Sequence, residues 1–166
     1  MADAYLGPIF LDATVISNFA STDGCELLAR TLDSPVVTPA VRDEIEDGRA
    51  HGHEYLATAV ASIGDTIPVH TVSEPAATPS TRIELDAGEA ESLRGAIATD
   101  GTIATDDLAA RRAATQQDVP VTGSIGLLVH CITLDELSPE TADGWLTTWR
   151  EKRGYYAPVD SVSEVL

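Results

Sequence analysis

Lysine is almost missing from this chain: Lys152 is the only one among 166 residues, and arginine brings the basic total to just 10. Cysteine is scarce too, with Cys25 and Cys131 far apart and in no CxxC pair. That spacing argues against a zinc site and leaves two thiols expected to be buried and free. His51 and His53 form an HGH in a polar stretch, with no cysteine or histidine close in sequence to complete a ligand set. Both are expected at the surface. No apolar run approaches the roughly 18 to 20 residues that span a bilayer, and no basic region followed by an apolar stretch opens the chain. A soluble cytoplasmic protein with no membrane contact is the expectation. Hydrophobic residues make up 43% and run the whole length, so the chain is expected to bury a real core as one domain.

What is abundant is acid. Asp and Glu number 27, for a formal net charge of −17. A protein that binds nucleic acid through phosphate neutralisation normally carries the opposite sign. The acid-rich, lysine-poor, Ala- and Thr-rich composition removes the conflict if the protein works in molar salt, in a halophilic host. There the Debye length falls to about 3 Å and surface repulsion is screened. Most carboxylates are then solvated surface, and only a few carry chemistry.

Short strands and helices alternate along the chain. Residues 8–11 (PIFL) form an apolar run that ends at Asp12 and reads as a buried first strand. Residues 36–38, 102–105 and 119–122 are further strands, with 67–70 a short candidate. Helical patterns cover 13–20, 23–32 with Asp23 as N-cap, 39–48 with Pro39 at the start, 55–63, 86–98, 107–117, 123–132 and 138–154. Residues 64–81, rich in Pro, Thr and Ser, are the loosest part but too short to divide two domains. A single domain over 1–166 is expected, with about 138–166 as its helical extension and a short final helix over 159–166. Strands separated by helices of this length pair in parallel through right-handed crossovers, and the site of such a sheet lies beyond the strands' carboxyl ends.

Acids fall at that edge. Asp12 follows the first strand, and Asp106 and Asp107 follow residues 102–105. Glu44 lies in AVRDEIEDG, and Glu89 and Glu91 lie in LDAGEAESL. Each alone has a bland reading: Asp12 and Asp107 as N-caps, Glu44 as part of a solvated helix face. Together, acids on separate elements converging on one pocket repel one another, which a hard cation such as Mg2+ or Mn2+ relieves. A metal so held activates water and stabilises charge on a phosphoryl oxygen, so no nucleophilic Ser or Cys is required. Thr122-Gly123-Ser124 either packs tightly between strand and helix or offers backbone N–H groups to a phosphate. Arg111 and Arg112, one turn after the Asp pair, either contact RNA or pair with neighbouring acids.

FLDATVISNFA, TPAVRDEIEDG, LDAGEAESLRGA, IATDDLAARRAA and VPVTGSIGLL resemble, in order, the blocks of PIN-domain proteins, and of their VapC-like branch in particular. The tail LSPETADGWLTTWREKRGYY is similar to the ending of that branch, so the resemblance spans nearly the whole chain. It implies a three-layer α/β/α sandwich with a central, mainly parallel sheet, and a Mg2+- or Mn2+-dependent RNA endonuclease. It also implies a toxin of a toxin–antitoxin pair, with a small antitoxin protein as partner and a homodimer as the family habit. Carried over, Asp12 is the first metal-binding acid, Glu44 the second, and Glu91 the third with Glu89 competing. The fourth falls on Asp106 or Asp107, with Asp107 favoured. Thr14, Ser17 and Ser124 are candidate hydroxyls that contact phosphate or support the ligands. Many relatives have Asp at the third position, and that departure keeps open a PIN-like RNA- or protein-binding module without catalysis. A phosphatase-like enzyme with Asp12 as nucleophile is disfavoured, because Asp12-Ala13-Thr14 lacks a second aspartate two residues on.

Overall fold

A computed structural model describes residues 5–73 and 84–166. The strands are β1 (Ile9–Leu11), β2 (Pro35–Val36), β3 (Thr102–Ala104) and β4 (Val121–Thr122), all parallel, in the order β2-β1-β3-β4. Eight helices surround them among the described residues: α1 (Ala13–Ser21), α2 (Cys25–Thr31), α3 (Pro39–Ala50), α4 (Ala57–Ser62), α5 (Ala87–Thr99), α6 (Leu108–Gln116), α7 (Ser124–Thr133) and α8 (Pro139–Arg153).

The sheet is covered on both faces, so every residue of β1 and β3 is buried, Thr102 of β3 included. Alternation along β1 still sorts its side chains. Ile9 and Leu11 join the larger core with Val15, Ile16 and Phe19 of α1, Val41 and Ile45 of α3, Leu127 and Leu128 of α7, and Leu146 and Trp149 of α8. Phe10 points the other way, to Leu93 and Ala96 of α5 and Ala113 and Ala114 of α6. This is the three-layer α/β/α sandwich expected of the sequence. Trp149 locks α8 onto α1, packing on Phe19 at 5.1 Å between ring centroids and donating from its indole N–H to Thr22 Oγ1.

Most expected helices lie within a residue or two of their observed bounds. The start of α2 differs. Asp23, expected as its N-cap, instead closes α1: Asp23 N–H donates to Ala20 O and Gly24 N–H to Phe19 O at 2.7 Å, with Asp23 in the left-handed region at φ 54°. These are the paired bonds of a Schellman closure, and they leave Gly24 as the N-cap. The candidate strand at 67–70 makes only single bridges, Val69 to Val37 and Ile67 to Ile63. The segment expected over 55–63 divides into a 3-10 turn at Glu54–Leu56 and α4. The final helix reduces to a 3-10 turn at Val162–Glu164. Residues 74–81 of the loosest segment lie outside the described residues. No helix among the described residues is long and apolar enough to cross a membrane.

Candidate active site

The chain leaves β1 for β2 on one side, while β3 and β4 lie on the other, so the strand order reverses between β1 and β3. A crevice opens beyond the carboxyl ends of strands at such a point. The register fixes what lines it. Ile9, Phe10 and Leu11 pair with Thr102, Ile103 and Ala104, and Asp12 N–H still donates to Ala104 O at 2.9 Å. Asp12 therefore emerges beside Thr105, Asp106 and Asp107.

Asp12 is only 2% exposed. It holds the N-cap position of α1, yet its carboxylate makes no capping bond. Oδ2 accepts instead from Thr105 Oγ1 at 2.7 Å and Thr14 Oγ1 at 3.1 Å. The ion pairs among the described residues, Arg30–Glu136 and Arg42–Asp43, are both away from it. Burial pushes the Asp12 carboxyl above its ordinary range, and the Thr105 hydroxyl pulls back only in part.

Other acids gather around it. Thr38 caps α3 by accepting from Val41 N–H, and one turn in, Glu44 brings Oε1 against α5, where a β-carbon on Gly88 would lie 3.1 Å away. Asp86 and Glu89 form a capping box at the start of α5: Asp86 Oδ1 accepts from Glu89 N–H at 2.8 Å, and Glu89 Oε2 accepts from Asp86 N–H at 3.2 Å. Burial first, then Asp86 and Asp12, raise Glu44 to about 7. Burial first, then Asp86, Asp107 and Asp12, raise Glu89 to about 7 as well. Five carboxylates thus feel one another across the crevice. Asp86 was not a candidate from sequence, although the Asp-x-x-Glu spacing of the box was there to be read.

Glu91, the competitor of Glu89, faces elsewhere. Its Oε1 accepts from Ala40 N–H at 3.1 Å and so caps α3 from a neighbouring helix. The neighbouring aspartates also divide. Asp107 caps α6 with Oδ1, taken up by Ala110 N–H at 2.9 Å. Asp106 is bound on three sides, by Ser124 N–H at 2.8 Å, Ser124 Oγ at 2.5 Å and Asn18 Nδ2 at 3.2 Å. It ties the end of β3 to α7 and α1. Thr14 serves both groups, since its hydroxyl accepts from Asp106 N–H at 3.1 Å while donating to Asp12.

Gly123 is where these elements approach most closely: a β-carbon there would lie 2.7 Å from Asp106 Oδ1 and 2.8 Å from Arg111 Nη1. The first N–H of α7 is thus occupied by Asp106. Arg111 donates to Thr105 O at 3.0 Å and so braces the end of β3. Thr122 contributes its carbonyl to Thr105 N–H. Ser17 is half-buried on α1, without a side-chain hydrogen bond among the described residues. Thr105, beside Asp106, and Asn18, on the helix that Asp12 opens, also shape the site; Tyr55 and Arg153 carried no sequence signal, because each reaches it from a distant element.

Among the described residues, no three carboxylate, imidazole or thiol groups stand close enough together to hold one ion as they are. The donor set nonetheless suits a hard divalent cation. It is all oxygen, its central member is buried, and the described ion pairs bring it no neutralising cation.

The class that the fold and the site define is a parallel α/β/α sandwich with acids collected at its strand-order reversal. A family model described as a PIN domain matches residues 8–166, nearly the whole chain, and the chain belongs to the PIN-domain family, whose fold is in general that of nucleases. No curated protein matches the chain.

Proposed function

We propose that the protein is a metal-dependent endoribonuclease, with Asp12, Glu44, Glu89 and Asp107 holding Mg2+ or Mn2+. The observation that carries this reading is Asp12: a buried, uncapped carboxylate facing four other acids, an arrangement that costs stability unless a cation joins it. Bound there, a divalent ion supplies an activated water and charge stabilisation at a phosphoryl oxygen. The chain's own residues orient the acids. Thr105 and Thr14 fix the Asp12 carboxylate, the capping box fixes Asp86 and Glu89, and the α6 cap leaves one Asp107 oxygen for the crevice. Glu89 is placed in the set ahead of Glu91 because it faces Asp107 and Asp12 across the crevice, whereas Glu91 Oε1 is bonded at the start of α3.

RNA as substrate, the toxin role, a small antitoxin partner and a homodimer extend this reading on the strength of the family resemblance. Function in molar salt extends it on the strength of the −17 charge. The test is RNA cleavage in molar KCl with Mn2+ or Mg2+, beside an Asp12→Asn control. Metal-dependent cleavage that falls at least about 100-fold in the control is the expected result. Cleavage at an unchanged rate in Asp12→Asn would remove the proposed site.

A second reading has its own support in the spacing of the acids, which form no ready-made cage for an ion. It is a PIN-domain module that binds RNA or protein without catalysis. Mn2+ titration separates the two, since the module takes up no metal at Asp12 and its neighbours.

A further inference from the structure

Arg153 is the last residue of α8, at the far end of the chain from Asp12, and nothing in its sequence surroundings marks it out. Its guanidinium nevertheless reaches the site from behind. Nε donates to Asn18 Oδ1 at 2.9 Å, Nη1 donates to the Tyr55 hydroxyl, and the group lies over the Tyr55 ring at 5.1 Å from its centroid. Asn18 is 3% exposed, on the turn of α1 that faces the end of β3. Its Nδ2 donates to Asp106 Oδ2 and to Ser124 Oγ, both at 3.2 Å.

The chemistry of an amide makes this a directional chain. Asn18 has one accepting and one donating end, and either could face the crevice after a half-turn about its last torsion. An arginine has donors only, so Arg153 accepts nothing and forces Oδ1 towards itself. Nδ2 must then face Asp106 and Ser124. With the amide reversed, a carbonyl oxygen would confront the Asp106 carboxylate and Arg153 would meet an NH2 group. We infer that Arg153 is a positioning residue of the active site, acting through Asn18 to hold Asp106, and with it the end of β3 that carries Asp107. Tyr55 fixes the guanidinium in turn, by hydrogen bond and by stacking. Trp149 anchors α8 on α1, the helix that bears Asn18.

The inference rests on the nuclease reading for its consequence and on the network alone for its geometry, so the experiment reads both. Wild type, Asn18→Ala, Arg153→Gln and the double variant are compared by Mn2+ titration and by RNA cleavage in molar KCl. The side-chain amide signals of Asn18 are followed by NMR in wild type and Arg153→Gln, with thermal unfolding as a folding control. Each single change is expected to weaken Mn2+ binding or kcat about 10- to 100-fold with KM nearly unchanged. The double variant is expected to lose no more than the worse single one, because both changes break one chain. The wild-type Asn18 amide pair is expected as one sharp set of signals, shifted and broadened in Arg153→Gln. Arg153→Lys should fail to restore it, since a single ammonium cannot serve Asn18 and Tyr55 in a fixed plane. Losses that multiply in the double variant, a rise in KM alone, or an undisturbed Asn18 amide in Arg153→Gln would overturn the inference. If the wild type binds Mn2+ but cleaves no RNA, the metal site stands while RNA cleavage as its activity fails, and the coupling is still read from the titrations. If it binds none, the amide signals still decide whether Arg153 orients Asn18.

Discussion

Asp12, Asp86 and Asp107 all stand at helix N-cap positions, yet only Asp86 and Asp107 cap. A short acid before a helix is ordinarily worth about 1 kcal/mol as a cap. Asp12 forgoes that bond, keeps its carboxylate on two hydroxyls and stays buried, so its reason lies in the crevice. Glu89 and Glu91 each accept one helix N–H, Glu89 from Asp86 at the start of α5 and Glu91 from Ala40 in the first turn of α3. Glu91→Gln is expected to leave Mn2+ affinity within about twofold and to cost up to about 1 kcal/mol through the α3 cap. Glu89→Gln is expected to weaken Mn2+ binding, and calorimetric titration of both variants checks the contrast.

The pH dependence of stability belongs to the residue scale as well. Glu44 and Glu89 are raised from 4.5 to about 7 in the folded protein. Between those values the folded state holds protons that the unfolded state has lost, so stability falls as pH rises. The metal-free protein is therefore expected to lose melting temperature from about pH 4.5 to 7. Mn2+ should flatten that slope, and so should the pair Glu44→Gln and Glu89→Gln. Melting curves with chelator and with Mn2+ across this range measure it, and a slope that survives in the double variant would assign it to other groups.

At the scale of elements, helix endings show the acid bias at work in the backbone. Asp23, Asp100, Asp118 and Asp135 each take the left-handed conformation after a helix, with φ from 53° to 58°. Val119 N–H donates to Ala114 O and Glu136 N–H to Cys131 O, the closing bonds that such endings make. Glycine is the usual residue there, because a side chain in this region is strained by roughly 1 kcal/mol. Asp118→Gly, on the exposed loop between α6 and β4, is accordingly expected to raise stability by about 0.5–1 kcal/mol, which thermal unfolding would register as a few degrees. Strand β1 ends with its apolar run at Leu11, where the chain turns out of the ladder at once. Asp12 keeps one pairing to Ala104, and then α1 begins.

For the whole molecule, the −17 charge dominates. The two described ion pairs are exposed and contribute little, so most carboxylates repel across the surface. Stability is expected to climb with KCl from tens of millimolar to molar, and circular dichroism against salt would follow it. Full stability in low salt would remove the proposal of a protein adapted to high salt. RNA binding should show the same dependence in reverse of the usual rule, improving as screening lets a polyanion approach an acidic surface.

Sequence by itself determined the order of strands and helices, the parallel sheet and the set of acids at the strand ends. These follow from local periodicity, from Pro and capping residues at helix starts, and from apolar runs that only a two-sided burial explains. It could not separate Glu89 from Glu91 or Asp106 from Asp107, since neighbours in sequence differ only in which way a side chain leaves its helix or strand end. Tertiary structure gave the neighbours different partners, an N–H of α3 for Glu91 and three donors from α7 and α1 for Asp106, and the proposed ligand set rests on that difference. It alone brought in Asp86 opposite Glu44, and Arg153 behind Asn18. Those pairings join residues 42 and 135 positions apart, and no local pattern encodes a contact that exists only once the helices have packed.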